Sequence, residues 1–118
     1  MATPNIVSVA TINPFTVAGD LTTSAVELVD ATAEYCFKVE SIFLCNADTA
    51  NSCTADIDIS VNAGTNYHYL CKGLVIPPAT TISIIDRPIF MDETDIIRGL
   101  ASADEDIDWV ISGTFMTD

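Results

Sequence analysis

The strongest signal along the chain is a period of two. In Ala55-Asp56-Ile57-Asp58-Ile59-Ser60-Val61 every odd position is apolar and every even one polar. Successive side chains of a strand point to opposite faces, so this pattern predicts a half-buried antiparallel strand. Asp106-Ile107-Asp108-Trp109-Val110-Ile111-Ser112 repeats it, with Ile107, Trp109 and Ile111 on one face, and Thr80-Thr81-Ile82-Ser83-Ile84 repeats it once more. Val39-Glu40-Ser41-Ile42-Phe43-Leu44-Cys45 begins alternating and then turns fully apolar, which predicts a central strand covered on both faces. Tyr67-His68-Tyr69-Leu70-Cys71 is rich in aromatic β-formers. Segments 6–12, 24–29 and 96–102 complete a set of about eight short strands.

The punctuation between these segments agrees. Asn62-Ala63-Gly64-Thr65-Asn66 supplies turn residues between two strands and predicts a hairpin. Asn46 to Ser52 is a polar loop of small residues, and Asp92-Glu93-Thr94-Asp95 is a charged turn. Pro77-Pro78 cannot lie in a central strand, and Pro88 ends one segment and opens another. No sustained apolar stripe of helical period occurs; only 18–33 leaves room for a short helix. Short strands separated by regular turn signals predict an all-β fold, an antiparallel β-sandwich of jelly-roll or Ig-like type. Residues 1–20, with Pro4, Pro14 and short apolar runs, form an N-terminal arm that packs on a neighbouring subunit, or an ordinary edge strand. The sandwich domain then occupies 21–118.

Composition narrows the function classes. The 118 residues are 49% hydrophobic, which is too apolar for intrinsic disorder and enough for one domain with its own core. Apolar runs are only a few residues long, so no transmembrane helix is expected. Seventeen acids against four bases give a formal net charge of −13. Such a surface repels phosphate, so neither nucleic acid nor an anionic membrane is an expected partner. A partner is expected to offer a neutral or basic face. Cys36, Cys45, Cys53 and Cys71 form no CxxC pair and no Cys-His cluster, which argues against zinc and against a thioredoxin-like site. Met1-Ala2-Thr3-Pro4 lacks the basic start and apolar stretch of a secretion signal, so a reducing cytoplasm and free thiols are expected, with a Cys45–Cys53 link as the alternative.

Candidate chemistry is sparse. His68, the sole histidine, lies between two tyrosines with no nucleophile or orienting acid nearby in sequence, and reads as a surface or interface aromatic. No nucleophile elbow, P-loop, dinucleotide fingerprint or HExxH motif occurs, so no enzyme activity and no cofactor are expected. Asp104, Asp106 and Asp108 mimic the first ligands of a calcium loop, but the sixth and twelfth positions are Trp109 and Phe115 where glycine and glutamate are needed. A solvated turn explains the cluster better, and crowding of its acids predicts a gain in stability on mild acidification. Lys72, Arg87 and Arg98 stand out because bases are scarce. Each has acids of its own chain to pair with, or reaches a partner; Arg87, in a stiff loop before Pro88, is the best placed for the second role. Trp109 reads as core, whereas Tyr67, Tyr69 and Phe90 are candidate interface anchors.

The order of segments resembles small virion structural proteins of tailed phages, especially those of marine and freshwater bacteria. The resemblance is carried by Asn5-Ile6-Val7-Ser8-Val9-Ala10, by Ser41-Ile42-Phe43-Leu44-Cys45-Asn46-Ala47-Asp48, by Ile76-Pro77-Pro78-Ala79-Thr80-Thr81, and by Arg87-Pro88-Ile89-Phe90-Met91-Asp92-Glu93-Thr94-Asp95-Ile96-Ile97-Arg98. It closes on Ala101-Ser102-Ala103 and Ile107-Asp108-Trp109-Val110-Ile111-Ser112 and spans almost the whole chain. In that group a tyrosine and glutamates follow the last strand; here Gly113-Thr114-Phe115-Met116 stands instead. The resemblance implies a β-sandwich capsid decoration (cement) protein, or a neck, tail or fibre component. Its implied partners are the major capsid protein or other virion structural proteins, with a homo-oligomer, trimer or dimer, on the outer capsid surface. Ile6, Val7 and Val9 of the arm, with Tyr67, Tyr69 and Arg87, are the expected docking residues. No metal ligand is implied.

Overall fold

The computed structural model describes residues 11–31 and 35–117. Nine antiparallel strands, and no helix, make up these residues: β1 (Thr11–Asp20), β2 (Val26–Asp30), β3 (Tyr35–Asn46), β4 (Cys53–Ser60), β5 (His68–Ile76), β6 (Thr81–Ser83), β7 (Ile89–Met91), β8 (Ile96–Ala101) and β9 (Ile107–Thr117). They form two sheets, one in the order β1-β9-β3-β6 with β7 also on β3, the other in the order β2-β8-β4-β5. The expected antiparallel β-sandwich is therefore the fold.

Its connectivity is that of a long hairpin rolled up. The tip is the β4–β5 turn, where the Thr65 N–H bonds the Asn62 carbonyl and Ala63 and Gly64 both have positive φ (60° and 81°). A turn with two such residues has the twist that a hairpin needs, and Gly64 adopts it without steric cost. The Ser60 hydroxyl receives the Gly64 N–H at 2.8 Å and donates to Asn62 Oδ1 at 3.0 Å. From the tip, β4 pairs β5, β3 pairs β6 and β7, β2 pairs β8 and β1 pairs β9. Rolling then lays β9 on β3 and β8 on β4 and closes two four-strand orders. Between the jelly-roll and Ig-like alternatives, this pairing of first strand with last is the jelly roll.

The inner faces meet in one continuous core. Leu21, Val39, Ile42, Leu44, Ile57, Ile76, Met91, Ile97, Ile107 and Ile111 have no exposed surface, and Trp109 joins them. Each large aliphatic side chain so buried contributes about 1.5–3 kcal/mol. Asn46 and Ser60 are the fully buried polar exceptions among the described residues, and the amide of Asn46 is satisfied. It donates to the Asn51 and Ile76 carbonyls at 2.9 and 3.0 Å and accepts the Asp48 N–H at 3.0 Å, tying the end of β3 to the loop after it and to β5.

Three expectations need correction. Phe43 is exposed while Ile42 and Leu44 are buried, so β3 alternates through its apolar run instead of being covered on both faces. The run 18–33 hides no helix among its described residues; its residues end β1, make a bend, and form β2. Gly113-Thr114-Phe115-Met116 is not a tail beyond the last strand but the second half of β9. It is laddered on both sides, to β1 and to β3, which holds it in strand geometry despite Gly113. Three strands thus run to ten residues or more, longer than the short strands expected.

Candidate interaction surfaces

The two outer faces of the sandwich differ in chemistry. On the β2-β8-β4-β5 sheet, register aligns Glu27, Arg98, Asp58 and Tyr69 in one row across four strands. Arg98 grips Asp58 with two bonds, Nε to Oδ1 at 2.9 Å and Nη2 to Oδ2 at 3.1 Å. The planar fork matches the carboxylate, and Tyr67 lies over the guanidinium with its ring centroid 3.5 Å from Cζ. The hydrogen bonds to Asp58 hold the Arg98 pKa above its ordinary value. Lys72 Nζ sits 4.5 Å from the Tyr69 ring centroid and 3.3 Å from its hydroxyl. Asp56, one row along, accepts the Gly73 N–H at 2.6 Å.

On the β1-β9-β3 sheet the outward rows are mostly uncharged. One reads Ala18, Val110, Phe43 and Ser83; another reads Pro14, Thr114, Lys38 and Phe90. Between them Ser41 and Ser112 share a hydroxyl hydrogen bond of 2.7 Å. Ile12 (61%), Phe90 (56%) and Phe43 (41%) are among the most exposed large apolar residues described, a cost that water imposes unless something covers them. The charges here lie apart: Lys38 pairs Glu40 at 3.7 Å on the surface, and Asp20 faces Asp108 at the end of the β1–β9 ladder. A hydrogen bond with Asp20 raises the Asp108 pKa, because one proton shared between two facing carboxylates relieves their repulsion. At the opposite end of the same sheet, Phe15, Phe37, Tyr35 and Phe115 form a ring cluster with centroids 5.2–6.3 Å apart, and Phe15 and Phe37 also pack on the core.

Of the residues singled out in the sequence, Tyr67 and Tyr69 are brought together, joined by Arg98, Lys72 and Asp58. Arg87 is exposed, in the bend between β6 and β7 on the other sheet, away from both tyrosines in the strand order. Ile6, Val7 and Val9 lie outside the described residues. Trp109 is buried, as its pattern predicted, and Phe90, a candidate anchor whose exposure its pattern left open, is exposed. The sequence reading missed Phe43 as a surface residue: strict alternation from Ile42 would have placed it outside, but the unbroken apolar run masked it. Val110 lies opposite Ile107, Trp109 and Ile111, where the alternation of that strand puts it. Asp104 does not crowd its sequence neighbours alone: its Oδ1 accepts the Thr23 N–H at 2.8 Å. The acid facing Asp108 is Asp20, distant in sequence. Among the described residues no cluster of three or more His, Cys, Asp or Glu is arranged to hold a metal ion.

No protein-family model matches the chain, and no curated protein matches it. Solved structures do. Over 93% of its length the chain is similar to a protein of the T13 IBDV viral particle, with TM-score 0.55 and 9% identity; it spans 32% of that protein, about a third. It also aligns with a pentameric capsid protein from metagenomic phage sequences (13% identity, 86% of this chain and 60% of that one, TM-score 0.38). The VP2 subviral particle of infectious bursal disease virus gives 13% identity, 92% and 33%, and 0.39. The last two scores are too low to argue from. At 9% identity the first shows a shared β-sandwich fold and nothing finer.

Proposed function

We propose that this chain is a structural protein of a virus particle, and within that class a capsid decoration (cement) protein that bridges and stabilises capsomers on the outer shell. The observation that carries the reading is the fold: a jelly roll matching a viral-particle protein over 93% of the chain. The outer face of the β1-β9-β3 sheet supports it, since outside Lys38, Glu40 and the Asp20–Asp108 end its rows carry no charge, and on a chain of net charge −13 that stretch offers another protein a contact surface with little repulsion. The whole-chain resemblance to phage virion proteins favours decoration over shell building. A small domain spanning the joints of a pressurised shell adds contacts that exist only in the assembled state, and so stabilises that state by linkage. Small contacts of this kind gain from symmetry and avidity, which favours a dimer or trimer. The acidic surface suits the outside of a particle, away from packaged DNA, with assembly in the host cytoplasm. The major capsid protein is the proposed partner; the resemblance points to Ile6, Val7, Val9, Tyr67, Tyr69 and Arg87 as contacts, and the exposed Phe43 and Phe90 of the less charged sheet offer a competing contact face.

Quantitative mass spectrometry of purified particles tests this. Hundreds of copies, in a simple ratio to the major capsid protein, are expected. A count of a dozen or a few dozen would move the chain to the neck, tail or fibres, where the same sandwich serves, and absence from the particle would overturn the virion reading.

A further inference from the structure

We propose that the open edge of β1 is a strand-pairing site for β1 of a second copy of this chain, joining two β1-β9-β3 sheets into one continuous sheet. It deepens the homo-oligomer part of the proposed function but rests on the edge itself.

Edge strands present unpaired N–H and C=O groups, and stable proteins blunt them with charge, bulges or short length. Three of the four sheet edges here are blunted. β2 is five residues long and carries Glu27 and Asp30. β5 carries Lys72, and its ladder to β4 breaks register twice, with Gly73 at φ 63°. β6 and β7 are three residues each. β1 differs: it is ten residues long, its ladder to β9 runs without a register shift, and it bears no charge from Thr11 to Gly19. Among the described residues no strand lies on its other side, and Pro14, Thr16, Val17 and Ala18 are exposed there.

Charge selects the occupant. Two copies of net charge −13 repel wherever their acids face, so a second copy approaches only along an uncharged line. Antiparallel pairing of β1 with β1 meets that condition. Its sole charge, Asp20, then lies at opposite ends of the pair, about 30 Å from its counterpart, well past the Debye length of about 8 Å. Pro14 fits as well. An edge strand holds proline where the N–H would face away from its partner, so Thr16 and Ala18, of the same parity, point their N–H groups to the open side. Main-chain bonds of this kind are the basis of strand addition.

Analytical ultracentrifugation of the full chain, with amide hydrogen exchange, provides the test. The expected result is a concentration-dependent dimer in which the Thr16 and Ala18 amides gain protection as the dimer forms. Ala18→Lys, which places a charge on the edge without touching the backbone, and Thr16→Pro should each abolish the dimer while leaving the circular dichroism spectrum unchanged. If Thr16→Pro fails to fold, Ala18→Lys still decides. A monomer at all concentrations, or a dimer that survives Ala18→Lys, would overturn the proposal. So would a monomer whose β1 amides are already protected, which would assign the edge to another segment of the same chain. These outcomes are independent of copy number in the particle, so failure of either reading leaves the other standing.

Discussion

The two outer faces of this sandwich are built from the same strand chemistry and do opposite things with it. The β2-β8-β4-β5 face engages its two bases within the chain: Arg98 is held by Asp58 with two bonds and roofed by Tyr67, and Lys72 rests on Tyr69. The β1-β9-β3 face has few charges to satisfy and leaves Ile12, Phe43, Phe90 and Val110 in water. A face whose polar groups are paired gains little by binding. A face of exposed apolar side chains gains about 25 cal/mol for every Å² that a partner covers. The contrast favours the less charged sheet as the proposed docking face, although Tyr69 and Val75 leave apolar surface exposed on the other sheet as well.

The largest test of this contrast concerns the backbone beneath the apolar face. Gly113 opposes the β3 bulge so closely that an added Cβ would overlap the Lys38 carbonyl oxygen. Gly113→Ala should destabilise the fold by roughly 3 kcal/mol, the upper end of overpacking costs, measured by urea denaturation. Gly99→Ala, on the other sheet, meets the Cδ1 of Ile57 at 2.6 Å, a flexible side-chain end that can shift, and should cost less. Equal losses would erase this difference between the sheets.

On the paired face, Arg98→Ala leaves the nearly buried Asp58 carboxylate without its partner. It should cost about 1–3 kcal/mol in thermal or denaturant unfolding, with most of that recovered in the Asp58→Ala, Arg98→Ala double variant. Additive losses would mean that the pair is not a unit.

The third test is pH. The Asp108 pKa is raised in the folded state by the hydrogen bond with Asp20, so the folded protein binds a proton more tightly than the unfolded chain does. Stability should therefore rise as pH falls from neutral through that raised value towards the ordinary 3.8, by up to about 1 kcal/mol for a facing like-charge pair. Buried Asp95, raised mainly by desolvation, adds to the same trend. Asp48 opposes it: its N–H donors at Ala50 and Asn51 lower its pKa, so its contribution is present above the ordinary value and lost as pH falls through the lowered one. Asp108→Asn should remove most of the gain in a melting-temperature series, and an unchanged profile in that variant would assign the gain elsewhere.

The smallest expected effect on folding is the most informative for function. Phe43→Ser should change stability by no more than about 0.5 kcal/mol, yet weaken co-sedimentation of the chain with particles. Tyr69→Ser should leave that co-sedimentation nearly intact if the apolar face is the docking face.

Much of the fold was legible because alternation is a local property. Ile57, Ile59, Ile107, Trp109 and Ile111 read as inward-facing from alternation alone, and the hairpin at Asn62–Asn66 was written in its turn residues. Legibility failed where a local cue was ambiguous. The run Ile42-Phe43-Leu44-Cys45 is apolar at every position, so its period vanishes and only a neighbouring sheet on one side decides that Phe43 faces water. Gly113 interrupts the strand signal before Thr114-Phe115-Met116, and ladders on both sides overrode the break.

By itself, then, the order of apolar and polar residues determined an all-β sandwich, its principal turns and most of its core, because a side chain's face along a strand depends only on its neighbours in the chain. Which strand lies beside which was decided by the tertiary structure. The pairing of Asp20 with Asp108, the grip of Arg98 on Asp58 and the open edge of β1 all arise from residues far apart in sequence. Such contacts depend on how the long hairpin rolls, and a period of two carries no record of that.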